Sequence, residues 1–422
     1  MIENLATLCF GLALVHTFIA PRIAGLRHRF RENSPGENLM HLLSEVEIIF
    51  GLWAAIFFLG WSLIIPTGLI GSGGLFPLDY LESVNFTESI FVFVIMTLSG
   101  TRPLLNAATK LMKLISDRLV FSEGRNLALT VLTLGPLLGS LITEPAAMTV
   151  CCFLLWPLIS AAGLKESSKY FLLGLLFVNI SIGGTLTNFA APPVLVVARH
   201  WGWSSSYMFE HFGWRAAAAV LVSTVMITTV IRKQLDAVVL PAVQTKSSPI
   251  WVILIDAIFI GLAVVASHHI VVLFAIFLFF LGYSMVTSEY RDELKLRESL
   301  LVGFFLAGLV TLGGMQEWWI RPMLSQLGDL ELFWSATALT AITDNALLTY
   351  LGTLVPEFSE AQKLSLVGGA VCGGGLTVIA NAPNPIGYSL LKGAFGEDGI
   401  SASKLFLGAL IPTIVAALLF LV

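Results

Sequence analysis

Charge is what this sequence has least of. Only 12% of its 422 residues are Asp, Glu, Lys or Arg, against about 25% in an ordinary soluble domain. With 56% hydrophobic residues and a mean hydropathy of +0.87, the chain cannot cover itself with polar surface in water. A soluble globular domain is therefore excluded. The net charge of −4 gives no basis for binding nucleic acid. Cysteine is scarce too. Cys9, Cys151, Cys152 and Cys372 all lie in apolar stretches, with neither zinc-ligand spacing nor a disulfide framework, and Cys151-Cys152 reads as a pair of small packing residues. The chain lacks a phosphate-binding Gly-x-x-x-x-Gly-Lys loop and any enzyme motif, so neither ATP nor a cofactor is expected to drive it. No basic start or small-residue cleavage site precedes the first apolar run, and residues 4–20 read as a retained span.

What the chain has in abundance is long apolar sequence. A bilayer core of about 30 Å takes roughly 20 apolar residues per helix. Spans are expected at 4–20, 46–66, 88–103, 215–232, 249–266, 269–287, 299–313 and 404–422. Two further spans, 168–200 and 363–396, are interrupted by glycine and proline. Two apolar stretches, 126–163 and 331–356, each carry one acid at the middle, with arms short for separate crossings, and read as re-entrant hairpins. The fold class is thus an all-α membrane protein of about ten transmembrane helices plus two hairpins. Lys and Arg gather in cytoplasmic loops. Placing both termini outside divides them 19 inside to 4 outside, the four being Arg199, Arg215, Arg321 and Lys363. Leu104–Ser122 reads as an interfacial amphipathic helix or a plain connector.

The two acids sit in matching sequence. Ile142-Thr143-Glu144-Pro145-Ala146 and Ile342-Thr343-Asp344-Asn345-Ala346 share Ile, Thr, an acid and Ala in register. Each is followed by a breaker. The first runs Gly183-Gly184-Thr185-Leu186-Thr187-Asn188 and on to Pro193, the second Gly373-Gly374-Gly375-Leu376-Thr377 and on through Asn381 to Pro383. Phe57–Leu63 matches Phe279–Met285, and Glu88-Ser89 matches Glu298-Ser299. Residues 1–232 and 249–422 therefore read as two copies joined by a linker at 233–248. Five crossings in each copy, an odd number, make their topologies inverted. Duplicated, interrupted helices are the pattern of a secondary transporter.

Broken helices free backbone groups that must be buried in protein or line a wet cavity. Thr143, Thr187, Asn188, Thr343, Asn345, Thr377, Asn381 and Asn384 supply oxygen nearby, the donor that hard cations prefer. An acid inside the membrane is a functional candidate by default, and neither tip nor breaker holds a Lys or Arg. That combination favours a cation over an anion. Glu144 and Asp344 are the expected Na+ ligands, and a carboxyl that binds either a proton or a cation makes the two compete. Plainer roles stand beside these. Asp344 can cap the second arm of its hairpin, and Glu144-Pro145 can start a helix. Thr187 and Thr377 can bond back to their own helices. Asp256 can make a local polar contact or transfer protons. Glu317 beside Trp318-Trp319 reads as interfacial, and His268-His269 as an outer loop.

Thr343-Asp344-Asn345-Ala346 and the segment from Gly373 to Asn384 resemble the signature segments of the ion-transporter superfamily. The likeness is nearest to its arsenite-permease and NhaD-like branches, including the Na+/H+ antiporters. The resemblance implies a substrate site between the hairpin tips and the unwound helices. It would be built from Thr143, Glu144, Thr187, Asn188, Asp344, Asn345, Thr377 and Asn381, in a homodimer whose transport domain moves against a scaffold. Glu144-Pro145 departs from the usual Asp-Asn or Ser-Asn pair, and Ala191-Pro192-Pro193 lacks the counterpart of Asn381, so the half-sites are unequal. The expected activity is exchange of Na+ or Li+ for H+ by alternating access. The alternative is a Na+- or H+-coupled carrier of a carboxylate or oxyanion, and a non-transporting membrane scaffold is a third reading. The expected setting is a multi-pass position in a prokaryotic or organellar inner or plasma membrane.

Overall fold

The computed structural model describes residues 2–26, 29–31, 34–64, 77–161, 163–240, 248–396 and 399–421, and these residues contain helices and no strand. The chain opens with α1 (Ile2–Leu26), α2 (Pro35–Ser44), α3 (Val46–Ile64), α4 (Pro77–Ser83) and α5 (Thr87–Ser99). Then come α6 (Arg102–Ser116), α7 (Glu123–Ile142), α8 (Glu144–Ile159), α9 (Glu166–Gly183) and α10 (Pro192–His200). Short α11 (Ser205–Met208) leads into α12 (Trp214–Val230) and α13 (Arg232–Leu235). The remainder is α14 (Ile250–Val265), α15 (Ile270–Val286), α16 (Leu296–Gly313), α17 (Glu317–Leu324), α18 (Asp329–Thr340), α19 (Asn345–Thr353), α20 (Glu360–Gly373), α21 (Asn384–Leu391) and α22 (Ala402–Phe420). Part of the expected linker, residues 241–247, lies outside the described residues.

Among the described residues, six helices are long and apolar enough to cross a bilayer, or eight if the bent pairs α2–α3 and α4–α5 each form one span. The expected spans at 249–266 and 269–287 are α14 and α15, whose 16 and 17 residues reach about 24–26 Å at 1.5 Å per residue. One expectation is corrected. The first hairpin's incoming arm is not short: α7 has 20 residues and spans about 30 Å. It starts at Glu123, where the Ser122 hydroxyl accepts the Arg125 N–H at 3.4 Å, and continues through Pro136. In the second hairpin, α18 and α19 have only 12 and 9 residues.

Two cores organise the bundle. Around Phe10, Phe50, Phe57, Trp61, Phe91 and Phe305, helices α1, α3, α5, α15 and α16 form one body. Edge-to-face pairs such as Phe50–Phe305, 5.4 Å between ring centres, lock its helices together. A second core joins α7, α8, α9 and α12 around Leu132, Leu155 and Leu176, and holds the free thiols of Cys151 and Cys152. The outer sides of α14 and α15 carry Val265, Val271, Phe279 and Val286, each at least 74% exposed. Such a surface is stable against lipid, not water, and the protein is a multi-pass integral membrane protein. The 104–122 stretch forms a helix, α6. It buries Leu104, Ala108, Met112 and Ser116 at four-residue intervals, a single stripe that packs on α7, α8 and α14.

Each segment that follows a break packs on the outgoing arm of the other hairpin: α10 on α19, and α21 on α8. This crossing brings the two acid-bearing tips to the two breaks.

Candidate functional site

The first tip is a single residue. Thr143 alone separates α7 from α8, with φ 73° and ψ 151°. It is the one non-glycine residue with positive φ among the described residues. A β-branched residue held there stores about 1–3 kcal/mol of strain. Its hydroxyl lies 3.1 Å from Ser99 Oγ. The sharp reversal makes Glu144 the first residue of α8, with Pro145 next, as a helix start requires.

Glu144 is fully buried. Its Oε2 accepts a 3.0 Å hydrogen bond from the Asn381 side chain of the opposite break. Its Oε1 has no partner. A carboxyl can sit so close to the break because residue 184 is glycine. A Cβ there would collide with Glu144 Oε1 and crowd its Cδ. Gly184→Ala is therefore expected to abolish exchange and lower the melting temperature. Gly11→Ala, whose Cβ meets open space, should leave both nearly unchanged or add up to about 1 kcal/mol of helix stability. Transport and thermal melting of the two variants side by side check this.

The second tip is built as a helix cap. Asp344 Oδ1 accepts the N–H groups of Ala346 at 2.8 Å and Leu347 at 3.2 Å. The plainer reading of Asp344 is thus correct, and it leaves the carboxylate at the positive end of α19. Capping occupies Oδ1 and not the whole group. Next to it, Asn345 is fully buried. Its N–H donates to the Ala380 carbonyl at 3.1 Å, and its side-chain amide reaches Ser181 Oγ of α9 at 3.5 Å. Each tip therefore touches the interrupted helix that follows the other tip.

The threonine hydroxyls each donate to a backbone carbonyl. Thr187 donates to the Ser140 carbonyl at 2.7 Å, and Thr377 to the Ala341 carbonyl at 2.8 Å. Neither bonds back to its own helix. Each ties its break to the hairpin of the same half. Thr343 donates to Leu339 of its own arm at 2.8 Å. Asn188 does not join the site. Its amide donates to the Trp203 carbonyl at 3.0 Å, and its oxygen accepts from Ser205 at 2.8 Å. Gly183 packs on the Pro136 backbone, Gly373 on that of Thr337, and Gly374 on Ser181 and Asn345. Pro193 lies in the first turn of α10, and Pro383 precedes α21.

Three contributors were missed as ligand-shaping residues. Ser140 bridges the first break, donating to the Gly183 carbonyl at 2.7 Å and accepting the Leu186 N–H at 2.9 Å. Ser181 donates to the Val371 carbonyl at 2.7 Å where the two interrupted helices cross. Asn384, noted only as an oxygen source, donates to the carbonyls of Gly374 at 2.7 Å and Thr377 at 2.8 Å, holding the second break open. Polar residues a few positions from a break were the only sequence signal.

The oxygens of Glu144 (Oε1), Asn345, Asn381 and Asn384 are all buried without a hydrogen-bond partner among the described residues. Unpartnered acceptors are costly, and a cation is the ligand that satisfies several oxygens at once. A cavity of about 50 Å³ lies beside Asn381, with Asp344, Thr343 and Glu47 also on its wall and, among the described residues, no Lys or Arg. A wider vestibule of about 430 Å³ reaches Thr143 and Pro145 from the side of Lys295, Arg297 and Glu298. On another side, two cavities of about 480 and 440 Å³ share Glu88 and Arg199, which pair at 3.1 Å across α5 and α10. His268, in the loop between α14 and α15, lines one of these.

Asp256 is outside the site. It is fully buried on α14 and paired with Arg291, the Nη1–Oδ2 distance being 3.0 Å. Thr101 donates to it at 2.9 Å. Of its two readings, the local polar contact describes it. Glu317 is surface-exposed and pairs with Arg321 at 3.1 Å.

Fold and site together define a helical membrane protein in which two carboxyl-bearing hairpin tips meet two interrupted helices. Residues 1–422 match the family model described as "Putative Na+/H+ antiporter", and the chain belongs to that family. No curated protein matches it. The family is one of transporters that exchange a cation for protons, so the bilayer, a cation and the proton are its partners.

Proposed function

We propose that the protein exchanges Na+, or Li+, for H+ by alternating access, with Glu144 and Asp344 each holding either a proton or the cation. The observation that carries this reading is the junction at Asn381. Its amide holds Glu144, its free oxygen is buried, and it shares a cavity wall with Asp344. The cation takes Glu144 Oε1, the unpartnered amide oxygens and Asp344, and each carboxyl releases its proton as it does so. Without a cation, protons keep the two buried groups neutral, because two unpaired carboxylates at this depth are too costly. The wall around Asp344 has no basic side chain, which an organic anion would need.

Alternating access draws support from the two-sided arrangement of cavities. The first tip opens toward the vestibule at Lys295 and Arg297. The way to the Glu88–Arg199 side passes through packed Phe91, Leu195, Leu306 and Leu347. We assign the vestibule to the cytoplasmic face, since the basic residues concentrate there. Both termini then lie outside. The order of elements supports two inverted copies: α1, α3 and α5 through the first hairpin and break to α12 repeat as α14, α15 and α16 through the second to α22. A homodimer formed on the apolar outer faces completes the proposal.

Competition is tested by titrating the detergent-purified protein with NaCl in two buffers of different protonation enthalpy. Sodium binding should release protons, so the apparent binding heat should differ between buffers. Identical heats, or no heat from sodium, contradict the shared site.

A further inference from the structure

Glu47, in the first turn of α3, lines both the 50 Å³ cavity and the 430 Å³ vestibule. The other residues common to the two are Val302, Ala382 and Pro385. Glu47 is thus the one polar side chain at their junction. On the inner side, the hydroxyls of Thr17 and Thr343 already donate to the backbone, to Ala13 at 3.0 Å and Leu339 at 2.8 Å. The side chains that offer oxygen to an incoming ion are Asp344, Asn381, buried to 1% exposure and with its oxygen unpartnered among the described residues, Glu47, and these two hydroxyls, whose lone pairs stay free when the proton is donated. On the vestibule side, the charged groups are Glu45, Lys295, Arg297 and Glu298. Arg297 is drawn to Glu45 at 3.6 Å. A cavity of this size holds a cation with a few waters. A cation entering it from the vestibule crosses an otherwise apolar junction, where a bare charge is costly.

We propose that Glu47 is the entry ligand of the transport path, binding the cation at the junction before it reaches Asp344. This rests on the proposed sodium/proton exchange and adds a residue on α3, outside the two tips. Glu47 contributes affinity on the vestibule side, whereas Glu144 and Asp344 carry the exchange.

The test uses the full chain in proteoliposomes, with a pH dye inside and the sodium concentration varied. Glu47→Gln should raise the half-maximal sodium concentration about tenfold or more, while Glu47→Asp should return it to near wild type. Glu45→Gln, in the same vestibule but away from the inner cavity, should change it little. A Glu47→Gln protein whose half-maximal concentration equals the wild-type value overturns the assignment, as does a folded Glu47→Asp protein impaired as much as Glu47→Gln. On the wild-type protein, carbodiimide labelling of Glu47 read by mass spectrometry should be slowed by sodium and not by choline. Labelling indifferent to sodium also overturns it, and this arm needs no variant to fold. An inactive wild type instead removes the exchange reading, and the entry ligand with it. An active wild type beside an unaffected Glu47→Gln removes Glu47 alone.

Discussion

Glu144→Gln and Asp344→Asn are each expected to reduce sodium-driven proton movement in proteoliposomes to the level of empty vesicles, while the proteins should still purify as folded species. The amides keep nearly the same shape, and in Glu144→Gln the new side-chain oxygen can still accept the Asn381 hydrogen bond. What they lose is the negative charge that a bare cation requires and the proton that it displaces. Asp344→Asn also keeps an acceptor for the N–H groups of Ala346 and Leu347, so the cap of α19 survives. A loss of transport without a loss of folding therefore separates ion binding from capping. If either amide variant transports at the wild-type rate, that carboxyl is structural and no more.

The second large effect is on stability. Asp256→Ala leaves Arg291, only 8% exposed, without its carboxylate partner. Removing one member of a buried pair costs about 3–5 kcal/mol, and the melting temperature in detergent should fall accordingly. The Arg291 guanidinium also lies 4.8 Å from the Tyr283 ring centre and donates to Thr287 at 2.8 Å, so part of its environment persists. The double variant Asp256→Leu/Arg291→Met should recover most of the loss, because an apolar pair of similar volume replaces a buried ion pair at little net cost. A single variant that melts with the wild type would show the pair to be open to water. The Thr101 hydroxyl joins this pair from the turn between α5 and α6, and Arg102 clamps the same turn onto the Tyr290 carbonyl at 2.9 Å. The pair fastens the α5–α6 turn to the α14–α15 region.

Both acids were legible because they interrupt apolar sequence twice, in register, and their hairpin tips form where that pattern puts them. The glycine pairs marked the breaks for the same reason: short-range backbone requirements are written locally. Residues whose role depends on distant partners were not legible. Asn188 looks like a ligand from its place after Thr187, yet Trp203 and Ser205, fifteen and seventeen positions on, claim both ends of its amide. Ser140 and Ser181 look like ordinary serines in apolar helices and matter only because helices from far along the chain cross there. Thr143 carries no hint of its left-handed backbone, since a β-branched residue is a poor choice for one. Glu47 reads as an acid near a span end, and only the packing of α1, α3 and α16 against the second tip shows that it stands between two cavities. α7 is longer than its apolar run because its first turn carries the charged Glu123 and Arg125. The helix begins earlier than hydropathy suggested, at the Ser122 cap.

The most direct test of the central claim is internal pH in proteoliposomes holding the wild-type protein, with sodium, lithium, potassium or a dicarboxylate added outside. Sodium or lithium entering through the Glu144–Asp344 site should drive protons out and make the interior alkaline, with the response lost in both amide variants. A pH response to the dicarboxylate alone, with none to sodium or lithium, contradicts cation/proton exchange at this site.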